Sequence, residues 1–232
     1  MDPFWISEIE DRKGEKVLYI NPLPEKCCTF DCVFCPIEER TINKTEQSFF
    51  FEGTKAMLQK LEVILKENKV DKIYILPDGE GLANAELPEI VRLAKEFGSK
   101  VRIITNGYIL NHPMYKDTML QCDEVIGELM TVKEADFQRL QRPLEGYTLQ
   151  DYVDNMHQFR KEFSGMFDLS ITLLKNYSDD EQALNFFKAA VQLLKPSNIY
   201  IETPEEGKLQ QAFGVEQEVI DKFKVELEAC IR

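Results

Sequence analysis

Six short apolar runs alternate with stretches of helical periodicity, and this alternation limits the chain more than any other feature. Lys16–Ile20, Asp71–Leu76, Val101–Thr105, Asp123–Leu129, Phe167–Leu174 and Ile199–Glu202 each read as a buried strand. Between them, apolar residues recur at three- and four-residue spacing. Thr54 is placed to N-cap a helix carrying Met57, Leu58, Leu61, Ile64 and Leu65 on one face. Leu87 to Phe97 reads as a second helix, closed by Gly98. Lys133 to Leu140 reads as helical. Thr148 with Asp151, and Ser178 with Glu181, resemble capping boxes heading two more helices, the latter ended by Pro196. From Glu216 an amphipathic helix turns Val219, Ile220, Phe223 and Leu227 inward. Strands separated by helices predict parallel βαβ units with right-handed crossovers. Periodicity alone fits a partial barrel and a doubly wound sheet equally well. With 232 residues and no repeat or linker, one domain over 1–232 is the economical expectation, with a short N-terminal extension (1–15) and a C-terminal helix.

Three of the six cysteines stand together in Cys28-Thr29-Phe30-Asp31-Cys32-Val33-Phe34-Cys35, a C-x3-C-x2-C spacing just after the first strand. Three thiolates can hold three irons of a cubane [4Fe–4S] cluster and leave the fourth iron open. Zinc is the rival reading. Structural zinc takes four closed ligands, commonly two cysteine knuckles or cysteines plus histidines. Here the only histidines, His112 and His157, are distant in sequence. Cys27 is no natural fourth ligand, because adjacent residues rarely aim at one metal. Cys122 and Cys230 have no ligand-like spacing, and a disulfide is disfavoured in a reducing compartment.

The formal net charge is −13, so the surface repels phosphate backbones and general nucleic-acid binding is disfavoured. Solubility alone also accounts for excess acid. Met1 to Lys16 is charged and broken by Pro3 and Gly14, unlike a signal peptide. No run reaches transmembrane length. A soluble cytoplasmic protein is the expectation.

In a parallel barrel the site lies at the carboxyl ends of the strands. The second strand is followed by Pro77-Asp78-Gly79-Glu80-Gly81 and the third runs into Thr105-Asn106-Gly107-Tyr108. The fourth ends in Glu128-Leu129-Met130, the fifth in Lys175-Asn176 and the sixth in Glu202-Thr203-Pro204.

The cysteine motif, with an aromatic before its last cysteine, resembles the signature of the radical S-adenosylmethionine (radical SAM) superfamily. Gly79-Glu80 resembles that family's glycine–glutamate motif, with Asp78 in place of the usual first glycine and Gly81 in place of proline. Further landmarks resemble the wyosine-base-formation-like iron–sulfur oxidoreductases related to tRNA wyosine synthase. They are Pro22-Leu23-Pro24, Thr105-Asn106-Gly107, Phe137-Gln138-Arg139-Leu140-Gln141-Arg142-Pro143, Gly146-Tyr147-Thr148, Leu174-Lys175-Asn176 before Ser178-Asp179, and Glu202-Thr203-Pro204. The resemblance implies an α/β fold, a partial (β/α)6 TIM-like barrel of the radical SAM type. It implies Cys28, Cys32 and Cys35 as cluster ligands, with SAM chelating the open iron and cleaved to a 5′-deoxyadenosyl radical. Gly79 and Glu80 would receive the SAM ammonium.

Phe34 either lies beside the adenine or packs the loop. Arg142 either meets the SAM carboxylate or serves as a cation at a helix end. Thr105, Asn106 and Lys175 are pocket candidates, the bland alternatives for the last two being an exposed turn and a surface lysine. Glu128 and Met130 replace the usual serine and aspartate; Glu128 is a candidate for the ribose hydroxyls or a substrate pocket, and Met130 for packing. No cysteine precedes Cys27, so the second cluster of wyosine synthase is not expected. A ferredoxin or flavodoxin is the implied electron donor. The substrate stays open between a small molecule, a partner enzyme given a glycyl radical, and a tRNA base, the last disfavoured by charge. A non-catalytic iron–sulfur or zinc sensor is the alternative of another class.

Overall fold

The computed structural model describes residues 4–37, 43–205 and 207–231. They divide into two compact units: residues 4–29, 43–105 and 113–125 in the first, and the remaining described residues in the second.

The first unit contains strands β1 (Trp5–Ile6), β2 (Glu10–Arg12), β3 (Glu15–Asn21), β4 (Cys27–Cys28), β5 (Asn43–Lys44), β6 (Lys72–Ile75) and β7 (Lys100–Thr105). Its helices are α1 (Thr54–Glu67), α2 (Leu87–Glu96) and α3 (Pro113–Leu120), with a 3-10 turn at Gly81–Ala83. Strand β8 (Glu124–Leu129) lends this unit its first two residues and the second unit the rest. The strands β3, β6 and β7 run parallel, with Val17 opposite Lys72 and Ile73 opposite Val101. Within residues 1–15, read from sequence as an extension, Trp5–Ile6 and Glu10–Arg12 pair antiparallel along the outer edge of β3. Lys13 and Gly14, both at positive φ, form the two-residue turn that matches the twist of such a hairpin.

The two faces of this sheet differ. Leu18, Ile20, Ile73, Ile75, Val101 and Ile103 are fully buried on one. On the other, Tyr19, Tyr74 and Arg102 stand in one cross-strand row. The tyrosine rings are 5.6 Å apart and the Arg102 guanidinium lies 4.9 Å over Tyr74. Lys72 bridges Glu15 and Glu124 at 3.1 and 2.7 Å. One face is thus aliphatic and the other aromatic and ionic.

Thr54 opens α1 as its first helical residue and is not its cap. Gly53 takes the cap position at φ 97°, and the buried Thr54 hydroxyl accepts from Asn84 Nδ2 at 3.4 Å.

The second unit continues from β8 to β9 (Met166–Thr172) and β10 (Ile199–Glu202), which pair in parallel with Leu169 opposite Ile199. Its helices are α4 (Glu134–Asp136), α5 (Leu149–Glu162), α6 (Glu181–Leu194), α7 (Gly207–Phe213) and α8 (Gln217–Glu228). The single regular helix expected over Lys133–Leu140 is not formed. α4 gives way to a π-helical turn, Phe137–Gln141, which stops at Arg142 in the left-handed region. Its final carbonyls, with no intrahelical donors, are taken up by the cysteine loop. Thr148 caps α5, its Oγ1 accepting from Asp151 N, but the expected box is not completed: Asp151 Oδ2 accepts from the Thr148 hydroxyl, and the Thr148 N–H goes to Tyr108 OH. At α6 the cap is Asp180, which accepts from Ala183 N at 2.8 Å. Ser178 lies two residues too early and instead accepts from Leu174 N. The last helix buries Phe223 and Leu227, Phe223 meeting Phe187 of α6 edge-on.

In neither unit does the strand order reverse. A doubly wound sheet reverses at a switch point, so this is the sequential (β/α) arrangement of TIM-like folds.

Candidate functional site

In the first unit, β4 begins the cysteine loop. The Cys27 carbonyl accepts from Glu80 N at 2.7 Å, and Cys27 and Gly79 form a parallel bridge. Gly79 sits at φ +133°, and a Cβ there would lie 2.1 Å from the Cys27 oxygen. Only glycine allows this approach. The next residue, Glu80, is 1% exposed, and its Oε2 accepts from Thr105 Oγ1 at 2.7 Å. Asp78 has a role of its own: its N–H and Oδ2 both bond the Asn21 amide, at 3.0 and 2.8 Å. Asn21 also closes the turn at Leu23, while Asn84 Nδ2 donates to the Pro22 carbonyl at 2.7 Å. Gly81 is buried in the 3-10 turn without such crowding. The Cys27 thiol is pushed up to about 11 by burial and then by Glu25, so it stays protonated at neutral pH. Burial pushes Cys122 to about 12.

In the second unit, Phe30 is buried edge-on among Tyr108, Phe137, Tyr147 and Tyr152. The loop then runs antiparallel to the segment after the π turn, with Phe30 bridging Pro143. Asp31 N donates to the Gln141 carbonyl at 3.0 Å and Val33 N to that of Leu140 at 2.8 Å. Cys32 Sγ lies 3.8 Å from the Gln141 carbonyl, and Cys35 N donates to the Cys32 carbonyl at 3.2 Å. Phe34 packs with Met130, Leu140 and Leu174, and edge-on to Phe213.

The other candidates in this unit are dispersed. Arg142 Nη1 is 3.4 Å from Asp31 Oδ2 on an open surface. Asn106 is buried and its Oδ1 accepts from Tyr108 N, closing a turn around Gly107. The Glu128 carbonyl accepts from Tyr152 OH at 2.7 Å. Lys175 is exposed, with its N–H on the Phe213 carbonyl. At the end of β10, burial and then Glu205 hold the Glu202 carboxyl above its usual range.

The structure thus gathers Cys27, Gly79, Glu80 and Thr105 in one place and Cys32, Phe34 and Gln141 in another. Lys175 bonds the Phe213 carbonyl through its N–H, and Asn106 closes the turn around Gly107. Sequence reasoning missed Asn21, Asn84 and Gln141 as anchors. Asn21 was visible as a polar residue directly after an apolar strand; the other two carried no comparable signal. No group of three His, Cys, Asp or Glu side chains among the described residues stands close enough to hold a metal ion as it lies. Three thiols on one short loop nevertheless supply the soft donor set of an iron–sulfur cluster, and the Gly79 cradle holds a carboxylate beside that loop's start.

The sequence model of the Radical SAM superfamily matches residues 25–187. UPF0026 protein MJ1312 of Methanocaldococcus jannaschii is 26% identical over 84% of this chain, which spans 62% of that protein. Another protein of that organism, named provisionally as a glycyl-radical enzyme activating enzyme, is 24% identical over 80% of this chain and 72% of its own length. The solved structure of TYW1 with a lysine–pyruvate adduct bound superposes with a TM-score of 0.66 at 15% identity, over 92% of this chain and 73% of that one.

Proposed function

Since the chain belongs to the radical SAM superfamily, and so to enzymes that use a [4Fe–4S] cluster and SAM, we propose that Cys28, Cys32 and Cys35 bind one such cluster. When bound, the cluster and SAM supply a reductive cleavage that yields a 5′-deoxyadenosyl radical. The protein's part is to bind, orient and exclude water. In this reading Glu80 receives the SAM ammonium, held in place by Thr105 and by the Gly79 backbone contact. Arg142 meets the SAM carboxylate at the cost of its exposed pair with Asp31. Asn106, Glu128 and Lys175 belong to the surrounding pocket, and Phe34 walls it. Cys27 and Cys122 stay protonated and take no iron.

The observation that carries the reading is the main-chain junction of Gly79-Glu80 with Cys27. A glycine that cannot accept even a methyl group ties the carboxylate turn to the start of the cysteine loop. The test is anaerobic reconstitution with iron and sulfide counts, followed by SAM and a strong reductant. About four irons per chain and 5′-deoxyadenosine, both lost in Cys32→Ala, support the reading. One tightly held zinc and no cleavage overturn it.

A reductant is needed, and we propose a donor of the ferredoxin or flavodoxin class. For the substrate, the relative named for glycyl-radical enzyme activation favours a partner protein beside a small molecule. Co-purification of a large glycyl-radical partner would decide for the former. The charge of −13 weighs against a tRNA.

A further inference from the structure

We propose that Gln141 is a positioning residue for the cluster, its side-chain N–H donating to a sulfur on the Cys32 side and raising the reduction potential. The inference rests on the reading that Cys32 binds iron.

Gln141 is wholly buried. Its Oε1 accepts from Thr131 Oγ1 at 2.6 Å, and Thr131 is itself fully buried. Nε2 has no hydrogen-bond partner among the described residues. Buried amide donors are nearly always satisfied, so each exception calls for an explanation. Thr131 fixes the amide's orientation, and Nε2 is the end left to give.

The same residue holds the cysteine loop by its main chain. Its carbonyl receives Asp31 N–H and lies 3.8 Å from Cys32 Sγ. It closes a π-helical turn and is followed by Arg142 at φ 44°, a conformation uncommon outside glycine. Turns of this kind recur at functional sites. The cluster to which the neighbouring Leu140 belongs, with Phe34, Met130 and Leu174, offers no acceptor stronger than the Met130 thioether. A ligated cysteine sulfur does. Hydrogen bonds to the sulfurs are among the factors that set cluster potentials, and a donor stabilises the more negative, reduced state.

Gln141→Met keeps length and removes the donor; Gln141→Glu keeps shape and replaces it with a carboxylate. Each reconstituted variant is titrated electrochemically with EPR detection of the reduced cluster. The expected result is full iron content with a lower potential. A tenfold drop in the reduced-to-oxidised ratio at fixed potential corresponds to about 59 mV for one electron, and Gln141→Glu shifts further in the same direction. Full iron with an unchanged potential overturns the proposal. Should both variants fail to fold, wild-type protein labelled with 15N at glutamine side chains serves: pulsed EPR of its reduced cluster should show a 15N coupling, and its absence overturns the proposal. A wild-type chain that assembles no Cys32-dependent cluster sinks the underlying reading as well. An intact cluster without the shift or coupling sinks this inference alone.

Discussion

The two ends of the cysteine loop are held by different physics. At Cys27–Cys28 the anchor is main chain against main chain, through β5 and the Gly79-Glu80 turn, with a buried carboxylate behind it. From Phe30 to Phe34 the anchor is a cluster of rings and aliphatic side chains, with carbonyls of residues 140–142 taking the loop's N–H groups. The first anchor tolerates no added atom. The second is a packed core, which is sensitive to lost volume but can partly relax.

That contrast is broken most directly at Gly79. Gly79→Ala places a Cβ 2.1 Å from a backbone oxygen, at a φ that L-residues avoid. The clash is with main chain, so no rotamer change relieves it. We expect a loss of more than about 3 kcal/mol in denaturant melts, from strain and displaced pairing together, and little cluster assembly. Normal iron uptake in this variant would show that the turn is dispensable to the loop.

At the other end, Phe30→Ala removes a buried ring that meets four others. The expected cost is about 3–5 kcal/mol, read as a shift in the urea midpoint with iron uptake reduced but present. Equal loss of iron in both variants would erase the distinction between the anchors.

This difference also explains what was legible beforehand. Gly79 and Glu80 could be read because a close backbone approach demands one residue type and leaves a two-residue mark. The six strands were readable because burial on a sheet demands apolar runs, as in Lys-Ile-Tyr-Ile. Gln141 and Asn84 were not, since a carbonyl or amide that bonds main chain places little demand on the partner's sequence. The π turn was missed because its apolar spacing, Phe137 and Leu140, is that of an ordinary helix. The edge strands β1 and β2 were missed because Glu10–Arg12 is polar and held by its turn and by pairing, not by burial.

A smaller effect is expected of Thr105→Val, which keeps shape and deletes the hydroxyl that donates to Glu80. A buried carboxylate oxygen losing its donor costs about 1–3 kcal/mol. SAM affinity should fall with stability, because a contact that orients the Glu80 carboxylate is lost. Stability loss with unchanged SAM affinity would make Thr105 a structural residue only.

The Cys27 thiol supplies a pH test. Its folded pKa, about 11, is raised above the ordinary 9.0, so its contribution is fully present below pH 9 and is lost as pH rises through 11. Apoprotein stability should fall across that window, and less steeply in Cys27→Ala. At pH 8 an alkylating agent should modify Cys28, Cys32 and Cys35 before Cys27. Prompt labelling of Cys27 would show that the first anchor opens readily.

Arg142→Ala is the smallest expected effect on stability and the sharpest on assignment. The pair with Asp31 is 3.4 Å long, and its side chains are 54% and 39% exposed. Such pairs contribute about 0–1 kcal/mol, so the urea midpoint should scarcely move. Arg142 also holds a left-handed φ of 44°, and Arg142→Gly should stabilise slightly if that strain matters. A guanidinium that meets the SAM carboxylate shows itself differently, because charge-assisted pairs are stronger when they exclude water. A tenfold or greater loss of SAM affinity with an unmoved melt places Arg142 at the cofactor. An unmoved melt with unchanged affinity leaves it a surface cation at the end of the π turn, and the carboxylate must then find its partner elsewhere.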